Sequence, residues 1–564
     1  MPGPRFATHE VTNQSPPFED IDLFATDTVL REAVAREGAP GAMAGLAALG
    51  KRAGSARGFE IGRLANENPP KLRRHDQKGF LADRVEFHPA YHEAMAMSVA
   101  AGLHCSVWDH LGAPGTQPRA GAHTGRLAGL YVTTQMEAGH LCPLTMTNAA
   151  VATLRLQPDL AGPVLGKILS RTYDPAFKPI AEKAGVTIGM GMTEKQGGSD
   201  VRANQTTAAP AGAGGPGAEY ILTGHKWFLS APMCDSFLML AQAPKGLSCF
   251  FVPRFLPDGT VNALRLQRLK DKLGNRSNAS SEVELEDAHG WLIGEEGRGV
   301  AGIIEMVTLT RLDCAMASAA QMRLALAVAL HHCRHRSVFG KRLAEQPLMM
   351  QVLADMALDV EAATALAFRL AGSFDRAASS DDEAAWRRLM TPVTKYWVCK
   401  MAPALGYEAM ECQGGNGYVE EGLAARLYRE LPLNAIWEGS GNVMGLDVLR
   451  VMAQDPACVE RVLAMIEAMA RGETRLETAI ARVRELIADK SALEVNARAL
   501  VELLAPTSSG ALLRAHAPSD VAESFIASRL AGGFRYTYGT GIGHGAAGYP
   551  RRHAFPCVTG GKAL

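Results

Sequence analysis

Met190-Gly-Met-Thr-Glu-Lys-Gln-Gly-Gly-Ser-Asp200 is the stretch on which the fold of this 564-residue chain turns. It closes an apolar run with a loop that carries two hydroxyls, Thr193 and Ser199, and the adjacent glycines Gly197 and Gly198. Glycine lets backbone come close to a ligand, so such a loop has N–H groups and hydroxyls to offer a flat heterocycle or a pyrophosphate. Taken alone it reads more simply as an ordinary turn. Its neighbours along the chain decide otherwise: Gly224-His-Lys-Trp-Phe-Leu-Ser230, an aromatic strand ending in a hydroxyl, then Arg311, Arg336-Ser-Val-Phe-Gly-Lys341, Gly414-Gly-Asn-Gly-Tyr418, Arg426-Leu-Tyr-Arg429 and Ile436-Trp-Glu-Gly-Ser-Gly-Asn442.

Outward from this loop the texture of the chain changes. Residues 1–40, with Pro16-Pro17 and mixed charge, read as an extended arm, and 41–185 as a helical domain interrupted by the Gly/Pro cluster near 112–121. From 186 to 290 short aromatic and aliphatic runs predict a β domain; in Ser281-Glu-Val-Glu-Leu-Glu286 the acids fall on one face and Val283 and Leu285 on the other. Residues 291–454 return to helices: Met349, Leu353, Met356, Val360, Ala363, Ala367 and Leu370 recur at steps of four and three, the stripe of a bundle helix. A further helical region with a Gly-rich end occupies 455–564. Strands and helices do not alternate, so a Rossmann reading has no support. Gly543-x-Gly545-x-x-Gly548 matches the dinucleotide pattern by chance, because Tyr549-Pro550-Arg551 follows where a helix should open.

Composition excludes several classes. Lys+Arg and Asp+Glu are 58 each, so the chain is not basic overall and any nucleic-acid contact must come from a local patch. Ten cysteines without a C-x-x-C pair indicate neither a zinc ribbon nor a disulfide framework and fit a cytoplasmic protein; no signal peptide or membrane span is expected. His331 and His335 stand one helical turn apart, but Arg334 and Arg336 would repel a cation and H-E-x-x-H is lacking, so no metal site is expected.

In order and spacing the motifs resemble the acyl-CoA dehydrogenase superfamily of flavoproteins. There a T-E-x-x-x-G-S-D loop, an aromatic-x-Thr/Ser strand end, an R-x-x-F-G helix, a G-G-x-G-Y/F turn and a Y/W-E-G-T/S segment recur in this order. Arg63-Leu-Ala-Asn-Glu-Asn-Pro-Pro70, Arg268-Leu-Lys-Asp-Lys-Leu-Gly-Asn-Arg-Ser-Asn278 and Leu446-Asp-Val-Leu-Arg450 extend the likeness to the AidB-like, adaptive-response branch over most of residues 10–450. The resemblance implies a mainly α fold with a central β domain: an N-terminal helical domain, a middle β-barrel, a C-terminal four-helix bundle and an extra C-terminal helical domain.

It also implies FAD as cofactor. Met190, Met192 and Thr193 would meet the flavin ring, Ser199 the pyrophosphate, and Phe228, Leu229 and Ser230 would flank the ring, with Ser230 beside N5. Arg336, Phe339, Gly414 and Gly415 would reach the adenosine half of FAD in a neighbouring subunit, which implies a homotetramer built as a dimer of dimers. Ile436, Trp437, Gly439, Ser440 and Asn442 complete the cofactor set, and Glu438 takes the place of the catalytic base. A carboxylate buried beside Trp437 is expected in that role; a lone W-E-G is otherwise more often a loop Glu at a helix end. Glu411 and Pro347 stand where the family commonly has Gln, with Gln413 and Gln346 close by.

Members of the AidB-like branch are associated with double-stranded DNA and the alkylation response. For this chain that implies a DNA-binding domain at about 455–564, with Arg450, Arg529, Arg535, Arg551 and Arg552 as candidate contacts. Residues 524–564 hold five basic residues and no acid, a depletion of acids more than an enrichment of bases. Two functions follow: a DNA-associated flavoprotein that protects DNA or acts on the alkylating agent, with weak acyl-CoA dehydrogenase activity, or a metabolic dehydrogenase of short or branched acyl-CoA without a DNA role.

Overall fold

Long apolar helices and short apolar strands must each bury a face, and here they do so around one continuous core that runs from the first helices through the sheet into the bundle. The structure, a computed structural model, describes residues 8–113, 115–531, 537, 538, 540, 552 and 553. The N-terminal third comprises α1 (Thr28–Arg36), α2 (Met43–Ala53), α3 (Ala56–Glu67), a hairpin β1 (Lys71–His75) and β2 (Leu81–Glu86), α4 (Pro89–Ala100), α5 (Ala122–Met136), α6 (Leu141–Leu154) and α7 (Pro158–Ile168). The extended arm is therefore shorter than expected: Asp27 caps α1 through a bond from the Leu30 amide, and the chain is helical from residue 28.

The β domain holds β3 (Ile188–Gly191), β4 (Thr207–Pro210), β5 (Glu219–Ser230), β6 (Ser236–Ala243), β7 (Gly246–Pro253), β8 (Leu264–Leu269) and β9 (Ser280–Ile293). Their order is β3-β5-β4-β6-β7-β9-β8, and the extra pairings β5–β9 and β3–β6 bring the sheet round on itself as a small barrel. β6 and β7, inside it, are buried on nearly every residue, whereas β9 alternates as its sequence alternates.

The second helical part starts with α8 (Gly299–His335), whose middle is buried on all sides, as expected of a helix apolar all round. A tiny hairpin, β10 (Ser337–Val338) and β11 (Lys341–Arg342), leads to α9 (Pro347–Arg376), α10 (Asp381–Glu411), α11 (Gly415–Tyr418), α12 (Leu423–Glu430) and α13 (Gly441–Gln454). α14 (Pro456–Ala470), α15 (Thr474–Ala488), α16 (Ala497–His516) and α17 (Ser519–Leu530) follow; α14 packs on α10, and α16 on α9, α10 and α13. Buried ion pairs tie the parts together: Arg126 of α5 grips Asp313 of α8 with two bonds of 2.8 and 2.6 Å, and Arg323 of α8 reaches Asp27 at 3.0 Å. Among the described residues no helix is long and apolar enough to cross a membrane.

Candidate active site

The loop after β3 lies against the strand that follows it in the motif order. β3 pairs antiparallel with β5 so that Met190 faces Ser230 and Gly191 faces Leu229, which joins the first two motifs at one edge of the barrel. A buried ion pair fastens them: Lys226 Nζ of β5 donates to Glu194 Oε1 at 2.6 Å, both side chains out of reach of water. Burial works to raise the Glu194 carboxyl, but the charge and hydrogen bond of Lys226, with the amides of Gln205 and Thr206, outweigh it and hold the group at about 2. Gly198 gives the returning loop room beside Thr193: a Cβ there would lie 2.5 Å from Thr193 Oγ1, and the Thr193 side chain would have to shift.

Beside this edge a cleft opens between the barrel and the helices. Its walls include Leu130, Leu141, Met146 and Ala317, with Ser230, Thr310, Asn434, Trp437 and Glu438. Ser230 and Glu438, from motifs more than 200 residues apart, thus share one cavity. Glu438 is half-buried, not enclosed as expected. Thr310 Oγ1 lies 2.7 Å from Glu438 Oε2 and 2.9 Å from the Val307 carbonyl, sharing its one proton between them. The adjacent Arg311 donates through Nε to the Glu438 carbonyl at 2.9 Å and through Nη1 to Asp447 at 2.8 Å. Lys395 of α10 donates to the carbonyls of Trp437, at 2.8 Å, and Gly439. Thr310, Lys226 and Lys395 carry no sign of this role in the sequence, and Arg311 stands there as a motif residue without one.

Other site residues fall in two groups. Phe228 is 43% exposed beside Ser230, with Met192 and Thr193 half-buried and Ser199, Ile436, Ser440 and Asn442 exposed around the same edge; Leu229 is fully buried, so only its backbone is available there. Arg336, Phe339, Gly414 and Gly415 do not line the cleft. They belong to a separate surface tied together by the N-terminal segment: Arg336 donates to the Asn13 carbonyl at 2.7 Å, and Asn416 to Gln14 at 3.3 Å.

The DNA candidates need correction. Arg529 is 5% exposed and pairs with Asp355 at 2.7 Å and Asp359 at 3.0 Å, so it is a core residue and not a phosphate contact. Arg552 pairs with Glu32 at 2.7 Å and Glu361 at 3.2 Å and is neutralised within the chain. Arg535 and Arg551 lie outside the described residues. Of the three candidates that are described, Arg450 alone presents a mostly exposed side chain, at 57%.

Comparison with known proteins places this geometry in a class. Residues 189–288 match the family model for the acyl-CoA dehydrogenase middle domain, residues 297–453 that for the acyl-CoA dehydrogenase C-terminal domain, and residues 13–175 that for the adaptive response protein AidB N-terminal domain. The chain belongs to the acyl-CoA dehydrogenase family, of FAD-dependent oxidoreductases. Its likeness is to the AidB branch: over 446 residues it is 50% identical to the putative acyl-CoA dehydrogenase AidB of Escherichia coli (strain K12), covering 79% of this chain and 80% of that protein. It is also 31% identical over 494 residues to acyl-CoA dehydrogenase family member 11 of Caenorhabditis elegans, covering 81% of this chain and 77% of that one. The crystal structure of C. elegans ACDH-11 in complex with C11-CoA superposes with a TM-score of 0.84 at 27% identity, over 94% of this chain and 96% of that one.

The residues at the barrel edge fit the family's cofactor. An exposed aromatic face at Phe228 stands next to the Ser230 hydroxyl and the end of β3, apolar surface and hydrogen-bonding groups side by side, as a flat amphipathic ring needs.

Proposed function

We propose that the cleft takes an acyl-CoA and that Glu438 removes the proton from its α-carbon. The observation that carries this reading is the meeting of Glu438 with Ser230 in one cleft, held by Thr310. FAD, when bound, supplies the acceptor for the hydride that leaves the β-carbon. The Thr310 hydrogen bond engages Oε2 of Glu438 and leaves Oε1 for the substrate proton. Met190, Met192, Thr193, Phe228 and Ser230, with the Leu229 backbone, hold the ring from the barrel side; Ser199 serves the pyrophosphate. Ile436, Trp437, Gly439, Ser440 and Asn442 form the facing wall. Arg336, Phe339, Gly414 and Gly415 serve FAD in a second copy of the chain within a homotetramer. The exposure of Phe339, Leu348 and Tyr418 around them supports such an assembly, since large apolar side chains clustered on a surface mark contact sites. Purified protein given saturated acyl-CoAs of short, branched and long chain, with an artificial electron acceptor, is expected to convert at least one to its α,β-unsaturated product, read by mass spectrometry. No product from any of them contradicts the reading.

The likeness to the AidB branch supports a second role, binding double-stranded DNA in the cytoplasm as part of the alkylation response, by protecting it or acting on the alkylating agent. One observation favours it. Three guanidinium groups surround the single buried carboxylate Asp447: Arg311 at 2.8 Å, Arg388 at 3.3 Å and Arg450 at 3.2 Å. One acid cannot neutralise three bases, and Arg388 and Arg450 carry the surplus to the surface, where a phosphodiester is a natural partner. Duplex affinity is expected to fall steeply with salt, and Arg388→Glu with Arg450→Glu to flatten the log–log slope by roughly one for each phosphate no longer neutralised. Affinity insensitive to salt would speak against DNA and leave the metabolic reading alone.

A further inference from the structure

We infer that Lys395 is a positioning residue for the Glu438 carboxylate, acting only through the backbone of the turn that bears it; this rests on the reading of Glu438 as the base. Glu438 has φ +57° and Gly439 φ +101°, two successive residues in left-handed conformations, which a non-glycine residue adopts only under constraint. Such strain persists where the surroundings over-determine it. Here they do so explicitly. The turn presents three consecutive carbonyls, and each meets a cationic side chain: Trp437 O accepts from Lys395 Nζ at 2.8 Å, Glu438 O from Arg311 Nε at 2.9 Å, and Gly439 O from Lys395 Nζ again.

The two anchors come from different helices. Arg311 follows Thr310 on α8, so one helix grips both the carboxylate and the carbonyl of Glu438. Lys395, in the middle of α10 and 1% exposed, spans the turn and ties its first and third carbonyls to a single nitrogen. It neither lines the cleft nor bonds the Glu438 carboxylate. Its hydrogen bonds therefore reach the chemistry through the turn. Without the ammonium two half-buried carbonyls lose their donor and the strained pair is free to relax, carrying the carboxylate off its line to the substrate.

Lys395→Met keeps an unbranched apolar side chain one atom shorter than lysine, removes the ammonium and leaves no unpaired charge in the core. Flavin reduction in a single turnover at saturating acyl-CoA is expected to slow by about 10²-fold, the order associated with a misplacement of about 1 Å, while substrate affinity stays within a few-fold. Amide exchange at residues 438–440 is expected to quicken without a matching change in α10 itself. In a Glu438→Gln background the same substitution is expected to cost almost nothing more, because its route to the chemistry is already gone. An unchanged rate or unchanged exchange in Lys395→Met would overturn the inference, as would a full additional loss in the double variant. Glu438→Gln reacting at the wild-type rate would overturn the base reading and this inference together; Glu438→Gln slow with Lys395→Met at full speed would overturn this inference alone. If Lys395→Met does not load FAD, Lys395→Gln carries the same measurements.

Discussion

Gly439 shows how little room the turn at the base allows. Its φ of +101° strains any other residue, and a Cβ there would lie 2.6 Å from Met444 Cε and 3.0 Å from Val443 Cγ1, so the end of Met444 would also have to move aside. Gly439→Ala is expected to slow flavin reduction at least about tenfold at unchanged FAD content, since reorienting a single catalytic group is enough for that; stopped-flow spectroscopy checks it. Thr310→Val removes the bond to Oε2 and is expected to lower kcat by about tenfold with KM little changed, the pattern of an interaction made mainly in the transition state. Glu438 was legible in the sequence because it sits inside a recurring tripeptide. Lys395 was not: a lysine in Val393-Thr-Lys-Tyr-Trp397 carries no local sign of two carbonyls more than 40 positions on, and only the crossing of α10 past the turn brings them together.

Among elements, the join between β3, its loop and β5 is the one most exposed to electrostatic failure. Glu194 is held at about 2, below its ordinary value near 4.5, so its contribution to stability is complete above about pH 4.5 and is lost as pH falls toward 2. Lys226→Met leaves that carboxylate buried without its cation and is expected to cost about 3–5 kcal/mol, read as a lower thermal midpoint with loss of FAD; Lys226→Met with Glu194→Gln should recover most of it. In the barrel, β5, β6, β7 and β9 were readable from their alternation and apolar runs. β1 and β2 were not, because Lys71-Leu-Arg-Arg-His75 and Leu81-Ala-Asp-Arg-Val-Glu86 form a largely exposed ribbon, and a strand with almost no buried face has little pattern to show. α1 escaped because its nine residues are too few to establish a helical period beside a Pro-rich segment.

For the whole molecule, the C-terminal helices are part of the core and not an appended module. Arg529 sits at the end of α17 against Asp355 and Asp359 of α9, both fully buried, so removing 455–564 would strand two carboxylates inside the bundle. Such a deletion is expected to unfold or aggregate, which calorimetry or light scattering would reveal; surface substitutions at Arg388 and Arg450 are the cleaner way to ask about DNA. The ACDH-11 structure aligns over 94% of this chain, and the uncovered remainder is far shorter than 455–564, so these helices have counterparts in a relative crystallised with C11-CoA. Extra helices alone therefore say little about DNA, and the surplus of bases around Asp447 says more. The most direct test of Glu438 as the base is an anaerobic titration of the flavin absorption band with acyl-CoA in wild type and Glu438→Gln. Bleaching in the wild type that slows by roughly 10²–10⁴-fold in the variant, at equal FAD content, is the predicted result. Bleaching at equal rates in both, or a flavin that stays oxidised in wild type with every acyl-CoA tried, would contradict it.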